Sequence, residues 1–96
     1  MTRVPLPARR AHELVDFRHG GHRFTLVIGR ANGAVAEIFL NGVKAGSALE
    51  AEAQSAAILT SLLLQYQVPL SEVCHALRGH PASVIAVALS LIGEAK

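Results

Sequence analysis

The chain contains one cysteine, Cys74, so it can close no internal disulfide and offers no cysteine pair for a structural metal. That poverty of thiols fits a reducing compartment. Aromatic residues make up only 4% of the sequence, and they do not interleave with the basic residues as a single-stranded nucleic-acid platform requires. No glycine-rich phosphate loop and no G-x-S-x-G nucleophile motif occurs. Apolar runs stop well short of the ~18 to 20 residues that span a bilayer, and the opening MTRVPLPARR has no hydrophobic signal segment. The expectation is a cytoplasmic protein with no membrane partner. Charge is the last shortage: 17% of residues are charged and 51% hydrophobic, with a mean hydropathy of +0.38. A small monomer needs more polar cover than this, so self-association is expected.

What is present reads as one domain over residues 1–96, with residues 1–10 an extended or loosely ordered lead-in containing Pro5 and Pro7. Such a length buries roughly 60 to 65% of the unfolded surface, enough for a small core. Three strand signals follow. His12 to His19 carries Leu14, Val15 and Phe17; Gly20-Gly21 supplies a turn; His22 to Arg30 alternates with Phe24, Leu26 and Ile28 on one face. Asn32-Gly33 makes a second hairpin turn, and Val35 to Leu40 places Ala36, Ile38 and Leu40 on one face, with Val35, Glu37 and Phe39 on the other.

Gly46 to Pro69 then spells a long helix with both ends marked. Ser47 and Glu50 have capping-box spacing, and Pro69 ends the ladder because it lacks an N–H and biases Val68 away from helical geometry. Its apolar residues cover more than one stripe, so burial on most sides is expected. A short helix over Leu70 to Arg78, stopped by Gly79, and an apolar helix from near Pro81 to about Ile92 complete the chain. The expected fold is α+β: a three-stranded antiparallel meander followed by three helices, with the long helix packed on the sheet. A homodimer through the long and last helices, with Leu63 and Leu89 at the contact, would cover the apolar surplus.

Charge is unevenly placed. Arg3, Arg9, Arg10, Arg18, Arg23 and Arg30 face only Glu13 and Asp16 in the first thirty residues, while the rest is slightly acidic. Arg9, Arg10, Arg18, Arg23 and Arg30 are therefore the candidate contacts for an anion or nucleic acid, although such a balance also suits a solvated sheet face. Convergence of these arginines on one face would favour a nucleic-acid or nucleotide-binding regulator; dispersal would favour an interaction module. His19 and His22 flank a turn but lack a carboxylate or thiolate to complete a metal site. Cys74, His75 and His80 form a loose group whose adjacent helical members point about 100° apart. Glu50 and Glu52 lie on different helix faces, and Glu50 has a cap to make. No catalytic residue, no metal site and no cofactor is expected.

A series of short motifs runs through these elements in order: Arg9-Arg10, Gly20-Gly21-His22, Val27-Ile28-Gly29, Ala36-Glu37-Ile38-Phe39, Lys44-Ala45-Gly46-Ser47 and Leu64-Gln65-Tyr66-Gln67-Val68-Pro69-Leu70. The series resembles the C-terminal, TSCPD-type domain of adenosylcobalamin-dependent ribonucleotide reductases over about Arg9 to Arg78. Gln67 stands where that pattern usually has glycine. The resemblance implies a free-standing accessory module connected with nucleotide metabolism, with a reductase or another protein as partner. It also implies no reductase activity, because those enzymes use a radical-forming cysteine and a redox cysteine pair in a large barrel, and neither is matched here.

Overall fold

A computed structural model describes residues 3, 6, 12–42 and 47–92. The lead-in motif Arg9-Arg10 and the segment Lys44 to Gly46 lie outside the described residues. Three strands, β1 (His12–His19), β2 (His22–Ala31) and β3 (Ala34–Gly42), form an antiparallel sheet in the order β1-β2-β3. Both hairpins turn on two residues with positive φ, Gly20 and Gly21 at 58° and 78°, then Asn32 and Gly33 at 54° and 81°. Two left-handed residues in a row give the turn whose twist matches the strands it joins. Three helices follow: α1 (Ala48–Gln65), α2 (Leu70–Ala76) and α3 (Val84–Ser90). The fold is the α+β meander-plus-helices expected from the sequence, with α1 packed on the sheet.

Alternation along β2 builds the core. Phe24, Leu26 and Ile28 are buried, and the register sets Phe17, Val15, Leu40 and Ile38 beside them. Phe17 stacks on Phe24 with ring centroids 5.7 Å apart. Ala53 and Ala57 of α1 and Val84, Ile85, Ala88 and Leu89 of α3 close the core from the other side. The register steps at one point, from Gly29↔Glu37 to Arg30↔Val35, which leaves Ala36 as an extra residue on β3. That bulge turns Val35 toward the core, against which it packs, correcting the strict alternation that put it with Glu37 and Phe39.

Helix α1 departs from expectation in a more consequential way. Only Ala53, Ala57, Thr60, Ser61, Leu64 and Gln65 are buried, so the helix has one inner face rather than burial on most sides. That face lies along the open edge of β3. The Gly42 N–H donates to Glu50 Oε2 at 3.0 Å, the Ile38 N–H donates to Ser61 Oγ at 2.9 Å, and Gln65 Nε2 donates to the Ala36 carbonyl at 3.4 Å. The single Ser61 proton lies between the carbonyls of Ile38 (3.0 Å) and Ala57 (2.9 Å). The six residue steps from Ala36 to Gly42 extend ~20 Å, and the fifteen steps along the helix from Glu50 to Gln65 rise ~22 Å, so the two run antiparallel in step. Polar side chains of α1 thus supply partners that a fourth strand would otherwise give.

The ends of α1 follow capping rules. Ser47 Oγ accepts the Glu50 N–H at 3.1 Å, the expected half of the capping box, while the Glu50 carboxylate is directed to β3. At the other end Val68 N–H reaches the Leu63 carbonyl and Gln67 N–H the Leu64 carbonyl, a Schellman closure. Gln67 sits at its left-handed position with φ 67°. Helix α2 stops at Ala76, short of Arg78, and Gly79 is not in the left-handed conformation of a glycine stop. Helix α3 has seven residues and begins only after the Ser83 cap, shorter than the Pro81-to-Ile92 reading.

Two stability measurements check this architecture. Ser61→Ala removes the partner of both Ile38 backbone groups and is expected to cost about 1 to 3 kcal/mol in chemical denaturation. Gln67→Gly relieves a side chain from left-handed geometry and is expected to stabilise by about 1 kcal/mol, read as a higher midpoint at unchanged slope.

Candidate interaction surfaces

The inner face of α1 is spent on β3, so its other apolar residues point outward. Leu59 is 62% exposed and Leu63 44%, with Ile58 and Tyr66 also exposed. No charged residue occurs between Glu52 and Glu72, so this face carries no like-charge barrier to association. Beside it runs a cleft of ≈ 430 Å³ lined by Leu59, Leu63, Val68, Val73 and Leu77. Leu89, paired with Leu63 in the sequence reading of a dimer contact, is elsewhere: it is 1% exposed and belongs to the protomer's own core. The apolar character of the last helix is used inside the chain, because this seven-residue helix, packed against β1, α1 and α2, buries Val84, Ile85, Ala88 and Leu89 together.

A second apolar surface crosses the outer side of the sheet. Leu14, Val27 and Phe39 are direct neighbours across the three strands, and Leu14 is 70% exposed. Sequence alternation had left β3 half apolar on this side; only the pairing register aligns its Phe39 with Leu14 and Val27. Next to this band Glu37 is 2% exposed, with Oε1 3.3 Å from His12 Nε2, over Gly29. A Cβ at Gly29 would lie 2.5 Å from Glu37 Cγ, so the glycine is the space this carboxylate occupies.

The arginines do not converge. Arg18 and Arg23 face each other across β1 and β2 near the first turn, with Asp16 and Thr25 in the next row. Arg30 is at the other end of β2, where its Nε donates to Glu13 Oε1 at 2.6 Å. It follows the alternation of Leu26 and Ile28 and so lies on the opposite side of the sheet from Arg18 and Arg23. Arg9 and Arg10 lie outside the described residues.

The remaining polar candidates hold the fold. His19 donates from Nε2 to the Ala82 carbonyl at 2.6 Å, tying the first hairpin to the entry of α3. Among the described residues no three His, Cys, Asp or Glu side chains cluster as metal ligands. Cys74 is half-buried against the core, and its desolvation raises the thiol pKa above the ordinary value. No helix is long and apolar enough to cross a membrane among the described residues.

The sequence profile of the TSCPD domain matches residues 3–93. This chain belongs to the TSCPD domain family. The domain is the one found at the C-terminus of adenosylcobalamin-dependent ribonucleotide reductases. Comparisons with curated proteins and with solved structures gave no match. In this TSCPD domain the motif residues mostly hold the scaffold: Gly29 makes room for Glu37, Ile38 meets Ser61, Ser47 caps α1, and Gln67 closes it.

The placements of Leu63 and Leu89 make opposite predictions for the same substitution. Leu89→Glu puts a charge into the core and is expected to abolish cooperative unfolding, whereas Leu63→Glu is expected to keep the circular dichroism and melting behaviour of a folded protein. Cys74 supplies a pH test. Its native thiol holds the proton more tightly than the unfolded thiol, so this group's contribution to stability is intact below the unfolded pKa and declines as pH rises toward the folded one. Alkylation by iodoacetamide should reach half-maximal rate at a higher pH in native protein than in denaturant; a lower pH would contradict the burial.

Proposed function

We propose that this TSCPD domain is a non-catalytic accessory module that works by binding: it pairs with a second copy through the outward face of α1 and serves a protein partner, a reductase, in cytoplasmic nucleotide metabolism. The observation that carries the reading is the uncharged outward face of Ile58, Leu59, Leu63 and Tyr66 on a helix already anchored by its inner face. A rigid helix presenting aliphatic residues without charge is suited to a like surface, and a two-fold pair of α1 helices brings two such surfaces together. The dispersed arginines support this reading over a nucleic-acid or nucleotide regulator, since Arg18 and Arg23 share a sheet face that Arg30 does not.

Catalysis of ribonucleotide reduction is not part of the proposal. The chemistry needs a thiyl radical and a dithiol, whereas each chain supplies one protonated, half-buried thiol. A pair of chains still supplies too few.

Sedimentation at micromolar concentration is expected to give a dimer, and Leu59→Glu or Leu63→Glu a folded monomer, because each places a charge in the apolar contact. A monomeric unmodified protein would overturn the pairing. No deoxyribonucleotide is expected from any nucleotide supplied with adenosylcobalamin and a dithiol; product formation lost in Cys74→Ser would overturn the non-catalytic assignment.

A further inference from the structure

Helices α2 and α3 enclose a cleft of ≈ 380 Å³ whose section is graded from apolar to charged. Leu89 at the bottom is buried, Cys74, Leu77 and Ala86 are half-buried walls, and Ser71 and Arg78 are exposed at the rim. Ser71, Cys74 and Arg78 follow one another at three and four residues, the spacing that sets side chains in one row. Arg78 is the one charged residue among the described lining, because Glu72 turns to the neighbouring cleft beside α1. Its guanidinium makes no ion pair or hydrogen bond among the described residues. A cation without a partner at the mouth of an apolar space holds the anionic end of a ligand whose remainder is hydrocarbon.

We propose that the α2–α3 cleft binds a short aliphatic carboxylate, with the carboxylate on the Arg78 guanidinium and the hydrocarbon chain against Leu77, Ala86 and Leu89. The head group follows from the single arginine. Its planar fork matches a carboxylate in two parallel N–H···O bonds with one charge against one, whereas a phosphate monoester brings nearly two negative charges and would leave part of them unmet. The length follows from the space. Ligand sites run from roughly 300 to 1,000 Å³, so this cleft belongs at the small end. From Ser71 to its cap at Leu77, α2 rises only about 9 Å, the reach of a medium-length chain, and a long fatty tail would extend into water. Cys74 stands in the wall, so a seated chain covers its sulfur and makes the thiol a reporter of occupancy. The site is separate from the outward face of α1 and does not require the pairing through that face. Leu77 lines both clefts, so a measurement has to tell them apart.

The test is a titration of the full-length protein with submillimolar octanoate, followed by methyl NMR and by the rate of Cys74 alkylation with iodoacetamide. Saturable shifts of the Leu77 and Leu89 methyl resonances, with slowed alkylation at the same midpoint, are the expected result. Arg78→Gln, at an exposed position, is expected to weaken octanoate about tenfold with the melting temperature unchanged, and Arg78→Lys to recover part of the loss. Octanol, which has the chain without the charge, should bind unmodified protein about as weakly as octanoate binds Arg78→Gln. No saturable shift, equal affinity in Arg78→Gln, or equal binding of octanol would overturn the proposal. So would shifts centred on Leu59 and Leu63, which place the ligand in the cleft beside α1. Protection of Cys74 that rises with protein concentration and ignores octanoate would assign the cleft to a second copy of the chain and overturn it as well.

Discussion

The seam between α1 and the edge of β3 is the constraint on which the rest depends. A three-stranded sheet leaves the outer backbone groups of β3 unpaired, and such an edge invites another strand. Here a helix closes it. Small residues, Ala53 and Ala57, let the backbones approach, and Glu50, Ser61 and Gln65 reach the edge groups of Gly42, Ile38 and Ala36. Because strand and helix advance by nearly the same distance over these contacts, one side chain per level suffices. The arrangement fixes the rotation of α1 about its axis, and therefore decides which apolar residues are left outside.

That rotation links packing to function. Had α1 turned its leucines inward over a flat sheet, the domain would be better buried and would have less to bind with. The polar seam instead directs Leu59 and Leu63 to the surface beside the cleft shared with α2. The apolar excess of the composition is thereby concentrated on two outer faces: the outer side of α1, and the band of Leu14, Val27 and Phe39. Each is carried on regular elements, so each is presented in a fixed shape.

Much of this was legible in the residues. Alternation in β2, the Gly-Gly and Asn-Gly turns, the Ser47 cap and the Pro69 break each state a local rule that the structure obeys. The misreadings share a cause, since they concern which partner a face meets. Leu89 and Leu63 look alike in sequence, yet one closes the core and the other remains outside, because α3 packs its apolar residues into the core while α1 is rotated by its seam. Val35 changed sides through a one-residue bulge that alternation cannot register. Ser61 and Gln65 read as ordinary polar helix residues, although they hold the edge; their signal was the polar spacing from Glu50, visible only once an open strand edge is set beside it. Arg3 and Leu6 lie beside residues 64–70, a juxtaposition that tertiary structure alone creates.

The central claim is that α1 seals the sheet with one face and binds with the other. Methyl NMR over a dilution series from millimolar to micromolar protein measures both at once. The account predicts that the methyl resonances of Ile58, Leu59 and Leu63 shift or sharpen with dilution, while those of Leu40 and Leu89 stay fixed. Concentration-independent resonances on α1, or shifts confined to Leu14 and Val27 on the sheet, would contradict it.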